Sequence, residues 1–267
     1  AVGGACFRLS AKNMQISQYQ ERLNMARIAS DPVEACKLYM DAIAIDDIQS
    51  EAYHGFYTRA VEDGTFGDAE EELFLKLCIN THAYLKNFEE KNEYEYANFC
   101  YEMGNAYWYY YEHEENRQSR AVSWFETAMH YYEQNMDKTA EYRRCRLYVE
   151  IGTFYKNVIV SQIDGTDQGM YAQYWNSLTE LKALNDKEPD RDLITLRIYR
   201  EIASRVVEYA KYFKEDGVPR EDMDAMLAQI ESDLKDMELG AVSAVKDEIE
   251  AIRWIIDGAY KMVRSTY

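Results

Sequence analysis

Small residues spaced where two helices must touch, with aromatic residues beside them, recur along this chain and limit what it can fold into. Gly104 and Tyr107 are followed by Ala121, Trp124, Phe125 and Ala128, and Ala35, Tyr39 and Ala42 repeat the second half of that pattern at the same steps of four and three. Two helices approach closely only where side chains are small, so Ala or Gly is needed at the crossing while bulky residues fill its flanks. Gly152 is followed by Tyr155 as Gly104 is by Tyr107, and Tyr53 and Tyr148 each stand in a first turn. The pattern predicts paired helices stacked in series.

Three prolines and twelve glycines in 267 residues leave long runs rich in helix formers. Helices are expected at 13–29, 32–45, 49–62, 68–88, 92–112, 116–135, 138–162, 167–185, 190–215, 219–237 and 240–265, which makes five hairpins and a final single helix. Asp31-Pro32 supplies a capping side chain and a residue preset for the first turn. Asp63-Gly64, Asp164-Gly165 and Asp216-Gly217 each close a periodic run, and Pro189 divides the chain again. Tyr171, Tyr174, Trp175, Leu178 and Leu181 form one stripe. The last helix carries Val242, Val245, Ile249, Ile252, Ile256, Ala259 and Val263, a seam suited to capping the stack or, as the alternative, to a homodimer contact. No composition shift marks a linker, so residues 13–267 read as a single superhelical domain after an N-terminal arm at 1–12.

A net charge of -18 argues against nucleic acid, whose binders rely on clustered Lys and Arg. Cys6, Cys36, Cys78, Cys100 and Cys145 are widely spaced without a CxxC pair, the pattern of buried thiols rather than a zinc site. No run of eighteen apolar residues exists to span a bilayer. The small, apolar opening from Ala1 to Phe7 has the composition of a flexible arm or of the end of an upstream membrane segment.

Catalytic and metal chemistry finds no motif. His54, His82, His113 and His130 are scattered, and His113-Glu114-Glu115-Asn116-Arg117 lacks the second histidine of a zinc-binding HExxH helix. The Asp-Gly loops lack the acidic alternation of a calcium-binding loop. Neither a phosphate loop nor a GxSxG elbow is present. The expectation is a noncatalytic chain with no cofactor and no metal.

The repeated hairpin signature resembles the tetratricopeptide repeat, with departures: Asp47 stands where that repeat usually has proline, and Tyr109 to Arg117 lengthens one hairpin beyond the family's unit of about 34 residues. The resemblance implies an all-α superhelical stack of about five hairpins whose first helices line a concave, ligand-binding surface. Carried over by residue, that surface holds Tyr101, Asn105, Trp108 and Tyr109 from one repeat and Arg146, Val149, Thr153, Lys156 and Asn157 from the next. Arg143, Arg144, Arg146 and Lys156 then form the main basic patch of an acidic protein, unless they bridge to nearby glutamates. Tyr101 and Glu150 stand where a chaperone-type carboxylate clamp uses Lys and Asn, so that clamp is not expected. Tyrosines from Tyr94 to Tyr111 place rings on more than one face of a helix, for interhelical packing or for a ligand groove.

Longer segments resemble one group in particular. Asn105-Ala-Tyr-Trp-Tyr-Tyr-Tyr through Met129, Glu141 to Lys156, Asp164-Gly-Thr-Asp through Trp175, and Asn185-Asp-Lys-Glu-Pro-Asp-Arg through Arg205 are similar to the tetratricopeptide-like C-terminal region of bacterial membrane-anchored serine/threonine protein kinases. The resemblance implies an upstream kinase domain, one membrane helix and then this region outside the cytoplasm. It also implies a sensor or scaffold role in which a peptide, protein or cell-envelope ligand is bound. The alternative is a cytoplasmic adaptor that docks a protein partner.

Overall fold

The computed structural model describes residues 2–80, 82–134, 139–165, 169–188 and 192–267, and every regular element among them is helical. The protein is all-α. It divides into two compact units, 1–138 and 139–267, at a point that no change in composition marks.

The first unit contains α1 (Val2–Ile28), α2 (Pro32–Ile45), α3 (Ser50–Ala60), α4 (Asp68–Asn80), α5 (His82–Lys91), α6 (Glu93–Asn105), a π-helical turn (Ala106–Tyr110) and α7 (Glu114–Gln134). Here α1 packs on α2, α2 on α3 and α4, α3 and α5 on α6, and α6 on α7. The second unit contains α8 (Ala140–Asp164), α9 (Met170–Asn185), α10 (Leu193–Glu215), α11 (Arg220–Glu238) and α12 (Ser243–Thr266). In it, α8 packs on α9 and α10, α9 on α10, and α11 and α12 on α10 and on each other.

Helix ends follow local chemistry. Asp31 accepts the Glu34 backbone N–H at 2.8 Å and Pro32 opens α2. Gly165 closes α8 at φ 70°, and Gly217 follows α10 at φ 85°, where Val218 N–H reaches back to the Phe213 carbonyl at 2.8 Å. The break expected at Pro189 lies outside the described residues.

Three expectations are corrected. Residues 2–12, read as an arm, belong to α1, because nothing between Cys6 and Asn13 interrupts helical geometry. The run at 68–88 forms two helices, α4 and α5. The run at 92–112 leaves α geometry at Ala106, and the chain turns extended at Tyr111. That exit is pinned: Phe66 N–H donates to the Tyr110 carbonyl at 2.7 Å and Glu112 N–H to the Phe66 carbonyl at 3.3 Å. At Asp47, where the tetratricopeptide repeat usually has proline, the carboxylate accepts from Asn87 at 2.7 Å, a contact that proline lacks, and the carbonyl accepts from the Tyr53 hydroxyl at 2.9 Å.

The small residues lie where helices meet. Ala35, Tyr39, Ala42, Ala121, Phe125 and Ala128 are all buried. A Cβ built on Gly104 would sit 2.5 Å from the Phe125 ring, and one on Gly55 would sit 2.3 Å from the Tyr39 ring. In α7 the ring therefore nests on the helix before it. In α2 it nests on the helix after it, a contact that the sequence pattern did not single out. Aromatic packing continues from these crossings, with Tyr53 stacked on Phe88 at 4.1 Å and Phe154 on Tyr174 at 4.2 Å. The seam of α12 buries Ile249, Ile252, Ile256, Ala259 and Val263, while Val242 stays exposed before the helix begins.

Gly104→Ala tests the crossing by sign. Helix propensity alone favours Ala by about 1 kcal/mol, whereas overpacking against Phe125 costs about 1–3 kcal/mol. Urea unfolding of the variant is expected to show a net loss of stability that Phe125→Leu partly restores in a double-mutant cycle. Gly258→Ala, whose Cβ meets nothing closer than Val207 at 3.7 Å, is expected to stabilise.

Candidate functional site

The residues expected to line a binding surface fall into two sets, one in each unit. In the first, the end of α6 and the π-helical turn carry Tyr101, Asn105, Trp108 and Tyr109. Tyr101 and Trp108 are half-buried, each with its ring 6.2 Å from Phe125. Tyr109 is 38% exposed. Asn105 is only 8% exposed, and its Oδ1 has no hydrogen-bond partner. The same turn of α6 holds Glu102, which the sequence reading passed over. Its carboxylate pairs with His54 of α3. Burial pushes the Glu102 carboxyl up to about 7, aided by Glu95 and opposed by His54. Perturbed acids of this kind are a recognised mark of functional positions and of structural ion pairs alike.

In the second unit, α8 carries Arg146, Thr153, Lys156 and Asn157, of which the last three are exposed. Of the two readings of the Arg143 region, a basic patch or bridging to acidic neighbours, the second holds for Arg143 and Arg146. Arg143 is buried, donating to Asp192 at 2.7 Å and to Asn185 at 2.5 Å. Arg146 is held by Glu180 at 3.2 Å, with Glu150 at 3.9 Å. Against burial, which alone would raise it, the Arg143 bond and the Thr195 backbone N–H keep the Asp192 carboxyl below its ordinary value. Asp192 also caps α10, so Arg143 ties α8 to a helix start.

Each unit contains a buried polar cluster that no motif announces. In the first, Glu71 is 7% exposed and accepts from the Tyr111 hydroxyl at 2.7 Å, from the Tyr107 hydroxyl at 3.1 Å and from Arg120. The Arg120 guanidinium lies 5.4 Å from the Tyr111 ring centroid. Burial, then the bond to Glu71, pushes the Tyr111 hydroxyl up to about 12. In the second, Lys182 is 1% exposed, with Asp186 at 2.8 Å and Asp233 at 3.4 Å, and Asp233 also accepts from the Tyr199 hydroxyl at 2.6 Å. Every charge in these clusters has a counterpart, as burial demands. They join α4 to the π-helical turn and α7, and α9 to α10 and α11.

Cys36, Cys78, Cys100 and Cys145 behave as inert packing. Cys36, Cys100 and Cys145 are buried, and burial pushes the Cys36 and Cys78 thiols up to about 12. Among the described residues no group of three or more His, Cys, Asp or Glu converges on a common point as metal ligands do. Among the same residues no helix is long and apolar enough to cross a membrane. Comparison with protein-family models, curated proteins and solved structures finds no match to this chain.

Two measurements follow. Arg120→Met leaves the Glu71 carboxylate buried without its cation and is expected to cost on the order of 3 kcal/mol, more than Glu71→Gln, which frees an arginine that can reach solvent. An equal loss in urea unfolding would show that the pair is not what holds the cluster. Glu102 sets a pH dependence: between the ordinary carboxyl range and about 7 the folded protein keeps a proton that the unfolded chain releases. Its contribution is therefore complete at low pH and disappears as pH rises through 7, by on the order of 3 kcal/mol at most. Urea midpoints at pH 5 and pH 8 are expected to lie closer together in Glu102→Gln than in the native protein.

Proposed function

We propose that this chain is a noncatalytic binding domain built of tetratricopeptide-like hairpins, and that it serves as the sensor or scaffold region of a membrane-anchored serine/threonine kinase outside the cytoplasm. The observation that carries the binding reading is the nesting of Phe125 on Gly104 between buried Ala121 and Ala128, the contact on which such hairpins are built. Close approach at these crossings fixes each helix pair rigidly while leaving other faces free for recognition.

Two faces suit a peptide or protein ligand. The α6 end offers Tyr109 beside the half-buried rings of Tyr101 and Trp108, a surface with aromatic area and little conformational entropy to lose. The middle of α8 offers Thr153, Lys156 and Asn157, a polar strip able to hydrogen-bond main-chain groups. The link to a kinase rests on the resemblance of segments such as Asn105 to Met129 and Asn185 to Arg205.

A random-peptide display selection against the whole domain is expected to yield binders that lose about ten-fold or more in affinity in Tyr109→Ala, or in the combined Thr153→Ala, Lys156→Ala, Asn157→Ala variant, with the helical circular-dichroism signal unchanged. Binders indifferent to both variants overturn the assignment of these faces. The kinase link is read separately from the gene. An upstream frame encoding an apolar run of about twenty residues after a kinase domain supports it, and a frame without them favours a cytoplasmic adaptor.

A further inference from the structure

One indole on this protein points outward. Trp254 of α12 is 74% exposed, while Trp175 is buried and Trp108 and Trp124 are half-buried. It stands between two clefts of the second unit. The first, of about 560 Å³, is walled by Asp247, Glu250 and Asp257 together with Lys246 and the Arg253–Glu238 ion pair at 2.7 Å. The second, of about 390 Å³, lies between Val207 and Ser204 of α10 and Ile255 and Gly258 of α12, with Glu208 on its wall.

The chemistry of the two clefts differs. Asp247, Glu250, Trp254 and Asp257 follow one another at steps of three, four and three, which puts three carboxylates and the indole on one face of α12. With Arg253 taken up by Glu238, one lysine faces three carboxylates, and no side chain among the described residues forms an ion pair with Asp247 or Asp257. On the other side the wall is mostly apolar, and it is open because position 258 is glycine, with Val207 in ordinary contact distance of where a Cβ would stand. An exposed tryptophan is the side chain best suited to hold a cation over its ring and is among the commonest anchors of protein interfaces. Carboxylates within a Debye length strengthen that attraction.

We propose that the Trp254 face of α12 docks a basic segment of a partner protein, with a Lys or Arg held over the indole between the carboxylates and an aliphatic neighbour in the cleft formed by Val207, Ile255 and Gly258. The occupant follows from charge complementarity: an acidic wall excludes acidic partners, and the adjoining apolar cleft takes the uncharged part of the same segment. This surface is additional to the α6 and α8 faces, and its assignment does not depend on theirs.

The test uses the whole domain and a fluorescently labelled decapeptide of alternating Lys and Leu, titrated by anisotropy at physiological salt. Trp254→Ala is expected to weaken binding about ten-fold, a loss of about 1.4 kcal/mol. The combined Asp247→Asn, Glu250→Gln, Asp257→Asn variant is expected to weaken it comparably, and Gly258→Leu, which fills the apolar cleft, is expected to weaken it as well. A control that removes the same charge from α7, combining Glu114→Gln, Glu115→Gln and Glu126→Gln, none of which lines either cleft, is expected to stay within about two-fold of the native protein because exposed charges that do not contact the ligand act weakly through salt. Equal weakening by the control, or undiminished binding in Trp254→Ala, overturns the proposal in favour of general charge attraction. A concentration-dependent dimer that sedimentation shows for the native protein and not for Trp254→Ala also overturns it, by making the occupant a second copy of this chain.

Discussion

The contact between an aromatic ring and a glycine backbone governs this structure. With Phe125 lying where a Cβ of Gly104 would stand, α6 and α7 come closer than side chains of ordinary size permit, and Ala121 and Ala128 keep that spacing along the crossing. Tyr39 against Gly55 does the same between α2 and α3. The ring is at once the filler of the core and the measure of the interhelical distance. A larger residue at the glycine and a smaller one at the ring are both faults, the first by overlap and the second by leaving a void.

Around these apolar crossings the units are fastened by buried charge. Glu71 and Lys182 each sit among hydroxyls and opposite charges drawn from more than one helix, and Arg143 is held by the Asp192 carboxylate and the Asn185 amide oxygen. Such clusters add little net stability over a well-packed apolar equivalent, but a charge left alone in the interior is heavily penalised. Misaligned helices would leave a charge without its partner, and the clusters thereby discriminate against them.

Much of the fold was legible in the sequence because helix stops and helix seams leave local marks. Asp31-Pro32, Asp164-Gly165 and Asp216-Gly217 end or begin helices as their chemistry requires, and the stripe from Tyr171 to Leu181 is buried as its period implies. What escaped was decided by tertiary partners or by altered helical geometry. Gly55 was missed because its ring comes from the helix before it. The π-helical turn at Ala106–Tyr110 shifts the faces that a period of 3.6 assigns, so Tyr107 turns inward to Glu71 while Tyr109 turns out. Arg143 and Arg146 could be read as a basic patch or as ion-paired, and the sequence did not name their partners because Asp192 and Glu180 lie more than thirty residues away. Trp254 carried no sequence signal of its own beyond interrupting the polar face of an amphipathic helix.

The pinning of Phe66 to the chain beyond the π-helical turn has a kinetic consequence. The Tyr111 hydroxyl meets a carboxylate forty positions earlier, and the two main-chain bonds of Phe66 close a loop of similar length. Drawing such ends together carries a larger entropic penalty than pairing α6 with α7, whose crossing at Gly104 and Phe125 closes a loop about half as long, so the α6–α7 contact is expected to form before the Phe66 and Tyr111 contacts do.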